Sequence, residues 1–141
     1  MTSRRFAEDT KVPTGQTQAD IKDRLRKAGA DQIAVFESDA RTAIAFRLGW
    51  AVYRVTIPIP AEGNRAQEER RAWRLMGLLI KSKLEAIREG ATTVEREFLA
   101  DMLLYDGQTV SERMGPELQI AHEQGRMPTQ LLLAGPSGKG A

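Results

Sequence analysis

Thr42-Ala43-Ile44-Ala45-Phe46-Arg47-Leu48-Gly49-Trp50-Ala51-Val52-Tyr53-Arg54-Val55-Thr56-Ile57-Pro58-Ile59 is the stretch whose reading decides the fold. Apolar and small or polar residues alternate on both sides of Gly49-Trp50, the period of a half-buried strand. A two-residue turn with glycine first is what a type II′ hairpin prefers. It places Leu48 opposite Ala51, Phe46 opposite Tyr53 and Ile44 opposite Val55. These six residues then share one face, extended by Ile57 and Ile59. Ala43, Ala45, Arg47, Val52, Arg54 and Thr56 share the other. The alternation agrees on both strands without adjustment, so the register is well specified. Pro58 and Pro60 close the second strand and predict an edge position.

A helix expected over Glu68 to Glu89 gives that face something to pack on. Trp73, Met76, Ile80, Leu84 and Ile87 recur every three or four residues as one apolar stripe, widened by Leu75 and Leu79. Gly90 ends it, and residues 61–67 form the linker before it. Upstream, Gln32 to Glu37 reads as a further strand joined by a turn at Ser38 to Arg41. A short helix before it starts from Thr17 as N-cap, with Asp20 three residues on, carries Ile21, Leu25 and Ala28 at i, i+4, i+7, and stops at Gly29. Downstream, Thr93 caps a helix running through Phe98, Leu99 and Met102. Asp106-Gly107 marks a tight turn, and Ser111 or Pro116 opens a last helix reaching Gly125. The expected fold is α+β: a three-stranded antiparallel meander packed on a long amphipathic helix, with a helical C-terminal section. Residues 17–130 make one domain, between a flexible arm (1–16) and a flexible tail (131–141).

The 141 residues suffice for a core of their own without a disulfide or metal staple. The chain has no cysteine, which removes disulfides, thiolate nucleophiles and cysteine zinc sites together. Its single histidine, His122, excludes a multi-histidine metal site within one chain. Neither a signal peptide nor a membrane-length apolar run is present, so the expected location is the cytoplasm. No metal, cofactor or catalytic constellation is expected, and the chain reads as non-enzymatic. Glu97 and Asp101 share a face at i, i+4, the spacing an acid–base pair could use, but capping and the helix dipole account for Glu95 and Glu97 without catalysis. Ala134-Gly-Pro-Ser-Gly-Lys139-Gly140 imitates a phosphate-binding loop. It is two residues short, lacks Ser or Thr after Lys139 and has no helix to follow.

Net charge is only +2, so partners must be sought in the placement of charge. At ~100° per residue, Arg70, Arg74, Lys81 and Arg88 fall in one row of the long helix, with Gly77 as a bare gap in it. A basic row can follow a phosphate backbone; it can equally be a solvated face whose stems lie over apolar neighbours. Arg47 and Arg54 are diagonal neighbours on the non-core face of the hairpin, with Trp50 at its tip. Arginines with an exposed aromatic are the chemistry of single-strand binders. Arg4, Arg5 and Lys11 offer a basic arm, diluted by Glu8 and Asp9.

Four segments carry a resemblance in consistent order over about residues 6–130. They are Phe6-Ala-Glu-Asp-Thr-Lys-Val-Pro13, the strand pair ending Ile57-Pro-Ile-Pro60, Ile80-Lys-Ser-Lys-Leu-Glu-Ala-Ile87, and Glu97-Phe-Leu-Ala100 leading to Asp106-Gly-Gln-Thr-Val110. Together they resemble a family of small uncharacterised proteins encoded by bacteriophages and prophages. Tyr105 departs from the pattern, standing where proline is expected before Asp-Gly. The resemblance implies an origin in a host cytoplasm and no particular activity. Two functions follow as expectations. The first is a nucleic-acid-binding accessory protein for single-stranded DNA, acting through Arg47, Trp50, Arg54, Arg70, Arg74, Lys81 and Arg88. The second is a protein-interaction module, either an inhibitor of a host factor, such as an anti-defence protein, or a self-associating homodimer.

Overall fold

The computed structural model describes residues 14–128. The arm with Arg4, Arg5 and Lys11, and the Ala134–Gly140 loop imitation, lie outside the described residues. In chain order the elements are α1 (Thr14–Lys27), β1 (Gln32–Glu37), β2 (Arg41–Leu48), β3 (Ala51–Pro58), α2 (Arg65–Arg88), α3 (Val94–Phe98), a 3₁₀ turn (Leu99–Asp101) and α4 (Val110–Glu123). The strands form one antiparallel sheet in the order β1-β2-β3.

The hairpin adopts the register read from its alternation, with Leu48 opposite Ala51, Phe46 opposite Tyr53 and Ile44 opposite Val55. Gly49 carries φ of +70° and Trp50 does not share the left-handed region, so the glycine takes the conformation the turn needs. One face of the sheet is buried and meets Trp73, Met76 and Ile80 of α2. Its centre is aromatic. Phe98 stands edge-on to Phe46 with ring centroids 5.3 Å apart, and Tyr53 lies 5.6 Å from Phe98. Edge-to-face packing sets the positive rim of one ring against the negative face of the next. Phe98 thus ties the C-terminal section to the sheet.

α1 lies beside α2 and adds Ile21 and Leu25 to the same core. Gly77 is where they meet: a Cβ there would stand 3.7 Å from Ile21 Cγ1. The bare gap in the basic row of α2 is therefore the seat of a neighbouring helix.

Several boundaries differ from the sequence expectation. α1 begins at Thr14, so Thr17 lies inside the helix and is not its cap. α2 begins at Arg65, because the Asn64 side chain accepts from Gln67 N–H and makes the expected linker part of the helix start. Leu79 is exposed, so the stripe is narrower than its composition suggests. The helix from Thr93 stops at Phe98 and tightens into a 3₁₀ turn before Met102. α4 starts from neither Ser111 nor Pro116. Thr109 and Glu112 form a reciprocal capping box, and Pro116 sits inside the helix.

Because a methyl group at Gly77 would make only ordinary contact with Ile21, Gly77→Ala should raise stability by about 0.5–1 kcal/mol through helix propensity. Gly77→Leu should lower it by forcing α1 away. Chemical denaturation midpoints of the two variants check both signs.

Candidate nucleic-acid interface

Charge was expected on the hairpin and along α2, and the two locations fare differently. Arg47 does lie on the non-core face, where it donates twice to Asp31, from Nε at 3.1 Å and from Nη2 at 2.8 Å. This bidentate bond lowers the Asp31 carboxyl and raises the Arg47 guanidinium, in each case chiefly through the hydrogen bond between them. Arg54 is drawn to the N-terminus of α4, donating to Glu112 at 2.9 Å, with the Gly107 carbonyl also in reach. The face is partly covered: Ala43 is buried, whereas Phe36 stands exposed beside it. Both arginines already have carboxylate partners. A phosphate approaching this face must first displace one.

Trp50 is 72% exposed, a ring standing clear of the core. Its Nε1 donates to Glu95 at 3.0 Å, which fixes the indole at the start of α3.

The basic row of α2 does not act as one unit. Arg70 and Arg88 are eighteen residues apart, about 27 Å along a helix rising ~1.5 Å per residue. Arg70 is half-buried with an enclosed Nε that has no hydrogen-bond partner. Arg74 is exposed. From this row, Lys81 and Arg88 line a cavity. That cavity is an open cleft of about 400 Å³ between the C-terminal halves of α1 and α2. Leu48, Leu84, Ile87 and Val94 supply aliphatic surface to it, with Ala28 at its α1 side. Arg24 and Lys27 of α1 join Lys81 and Arg88 of α2 in the lining, and Glu85 is the lone carboxylate there. Lys27 pairs with Asp23 at 3.1 Å and Arg88 lies 3.6 Å from Glu89. Arg24 and Lys81 make no ion pair among the described residues. Trp50 stands at the same end of the molecule, two residues past Leu48 and bonded to the neighbour of Val94.

Arg24 and Lys27 were missing from the sequence reading. Their signal was present as basic residues three apart in the last turn of α1. What was absent was the knowledge that Gly77 seats α1 and so brings that turn against Lys81.

The carboxylates of the α3 region are occupied structurally. Lys83 donates to the Glu97 carbonyl at 2.8 Å, lies 3.7 Å from the Glu97 carboxylate and sits over the Phe98 ring. Burial pushes the Asp101 carboxyl up, opposed by the charge of Lys83. Glu97 is therefore engaged by lysine rather than poised as half of an acid–base pair. His122 is exposed, and no group of three or more metal-ligating side chains converges among the described residues. Comparison of the chain with protein families, with curated proteins and with solved structures gave no match.

Glu112 offers a pH test of this region. The hydrogen bond from the Thr109 N–H, the largest effect, holds its carboxyl below the ordinary 4.5; burial opposes it, and the charge of Arg54 adds to the lowering. A depressed folded value means that its stabilisation is in full force above about 4.5 and is lost as pH falls through the folded value. Glu112→Gln keeps an acceptor for Thr109 but carries no titrating charge. Its denaturation midpoint should lie below the wild type at pH 7, and the gap should narrow steadily as pH falls below about 4.5, a pattern that urea titrations from neutral to acidic pH would read.

Proposed function

We propose that the chain is a non-enzymatic nucleic-acid-binding accessory protein for single-stranded DNA, encoded by a bacteriophage and working in the host cytoplasm. The observation that carries the reading is the convergence of Arg24 and Lys27 with Lys81 and Arg88 around one open cleft. Four cations from two helices meet a single carboxylate in that lining, although the chain as a whole is nearly neutral. Exposed Trp50 adds a stacking surface at the same end. Cations that track phosphates beside an aromatic ring are the usual equipment for binding single strands without sequence preference. Arg47 and Arg54 take a lesser part in this arrangement, since Asp31 and Glu112 hold them. Arg74 extends the path along α2.

Fluorescence anisotropy with labelled oligo-dT tests the proposal. Affinity should fall linearly with log salt, with a slope of about −2 to −3 for three or four phosphates. Lys81→Ala/Arg88→Ala should reduce that slope by about 1 or more. Trp50→Ala should weaken binding by about 1–3 kcal/mol at fixed salt. Absence of salt-sensitive binding at low ionic strength rejects the proposal.

A protein-interaction module is favoured by a different observation. Tyr105, Leu99 and Leu118 are large apolar side chains left exposed on the C-terminal section. Capture of a host protein from nuclease-treated lysate that is lost in Tyr105→Ser would support that reading.

A further inference from the structure

We infer that the α1–α2 cleft seats one unstacked nucleotide of the bound strand, with its base against the aliphatic floor and its phosphates on the two walls. The inference rests on the nucleic-acid reading and adds a specific mode to it. Size comes first. A volume of about 400 Å³ falls in the range of small-ligand pockets and is far too small for a duplex or a folded partner. The floor comes second. Leu48, Leu84, Ile87 and Val94 give the open cleft aliphatic surface, which a flat ring can cover and shield from water.

The charges decide what kind of ligand fits. α1 and α2 both end here, so their carbonyl ends would repel an anion. Cations in the last turns offset that field, but this accounts for charge alone and not for an uncovered apolar floor. Lys27 and Arg88 have acidic neighbours in Asp23 and Glu89. Arg24 and Lys81 make no ion pair among the described residues, although Glu85 lies one turn from Lys81 in the same lining, and the two cations come from different helices. A base inserted between the walls carries a phosphate on each side of its sugar, matching one unpaired cation apiece. A fatty-acid anion would use one cation and would favour a closed tunnel over an open cleft.

Two measurements test this, both on the full chain. In the first, an eight-nucleotide oligo-dT is compared with an eight-unit abasic strand of equal charge. Wild type should prefer the base-bearing strand by about tenfold or more. Ala28→Phe, which fills the cleft from an exposed position, should lower that preference at least fivefold and leave the salt slope unchanged. Arg24→Ala/Lys81→Ala should do the reverse. In the second, dTMP is titrated into methyl-labelled wild type, and the methyls of Leu48, Leu84, Ile87 and Val94 should shift together. The inference is overturned if Ala28→Phe keeps the full preference, or if only the Trp50 indole responds to dTMP. It is also overturned if decanoate, but not dTMP, moves those methyls. Salt-sensitive binding that ignores the bases would sink the nucleotide seat and leave nucleic-acid binding standing. Failure of both strands to bind would sink both.

Discussion

A two-residue turn leaves no freedom of parity, and the rest of this structure depends on that constraint. Once Gly49 and Trp50 occupy the turn, Leu48 and Ala51 must oppose one another, and every second residue outward is committed to one face. A slip of one residue in β3 would turn Tyr53 and Val55 towards solvent and bring Arg54 to the core face beside Ile44 and Phe46. The buried face is then the one surface against which Trp73, Met76 and Ile80 can pack, and the aromatic contact with Phe98 follows from it. The C-terminal section folds back because a ring is waiting for it.

Much of this was legible because it is local. The hairpin register, β1 and the apolar stripe of α2 are periodic patterns within a few turns of chain. The helix starts were less so. Asn64 sits among Ala61, Glu62 and Gly63, and its company reads as a linker until its side chain is seen to accept from Gln67. Thr109 was hidden behind Pro116, which draws attention as a helix opener although it lies within α4. The candidate site was the least legible part. Arg47 finds Asp31 sixteen residues away and Arg54 finds Glu112 fifty-eight away. No spacing rule anticipates a pairing at such distances, so two exposed-looking arginines turned out to be engaged. Arg24 and Lys27 were overlooked for the same physical reason. Their significance arises only where α1 crosses Gly77.

Charge in this protein is local and partitioned. Lys83, two residues from Lys81 and so on nearly the opposite side of α2, is taken up by Glu97 and the face of Phe98. Lys81 is free among the described residues and lines the cleft. Two lysines separated by one serine therefore serve unlike purposes, one holding the C-terminal section and the other facing solvent beside an apolar floor. A balance near zero conceals this division, because Lys83 is matched by Glu97 while Lys81 makes no ion pair among the described residues.

The two borders of the sheet are unequal. At β3, Leu103 N–H donates to the Val52 carbonyl at 2.8 Å, and Pro58 has no N–H to offer. At β1 the antiparallel alternation leaves the N–H and C=O groups of Ile33, Val35 and Glu37 facing outward, with no partner strand among the described residues. A sheet whose β3 border is interrupted while its β1 border is open offers β1 as the better edge for a neighbour. If a second copy pairs there, border to border about a two-fold axis, each molecule consumes the other's open strand and growth stops. Indefinite stacking would need two open borders per chain. The contact of Leu103 with Val52 and the missing N–H of Pro58 thus make β3 the poorer template for a further strand.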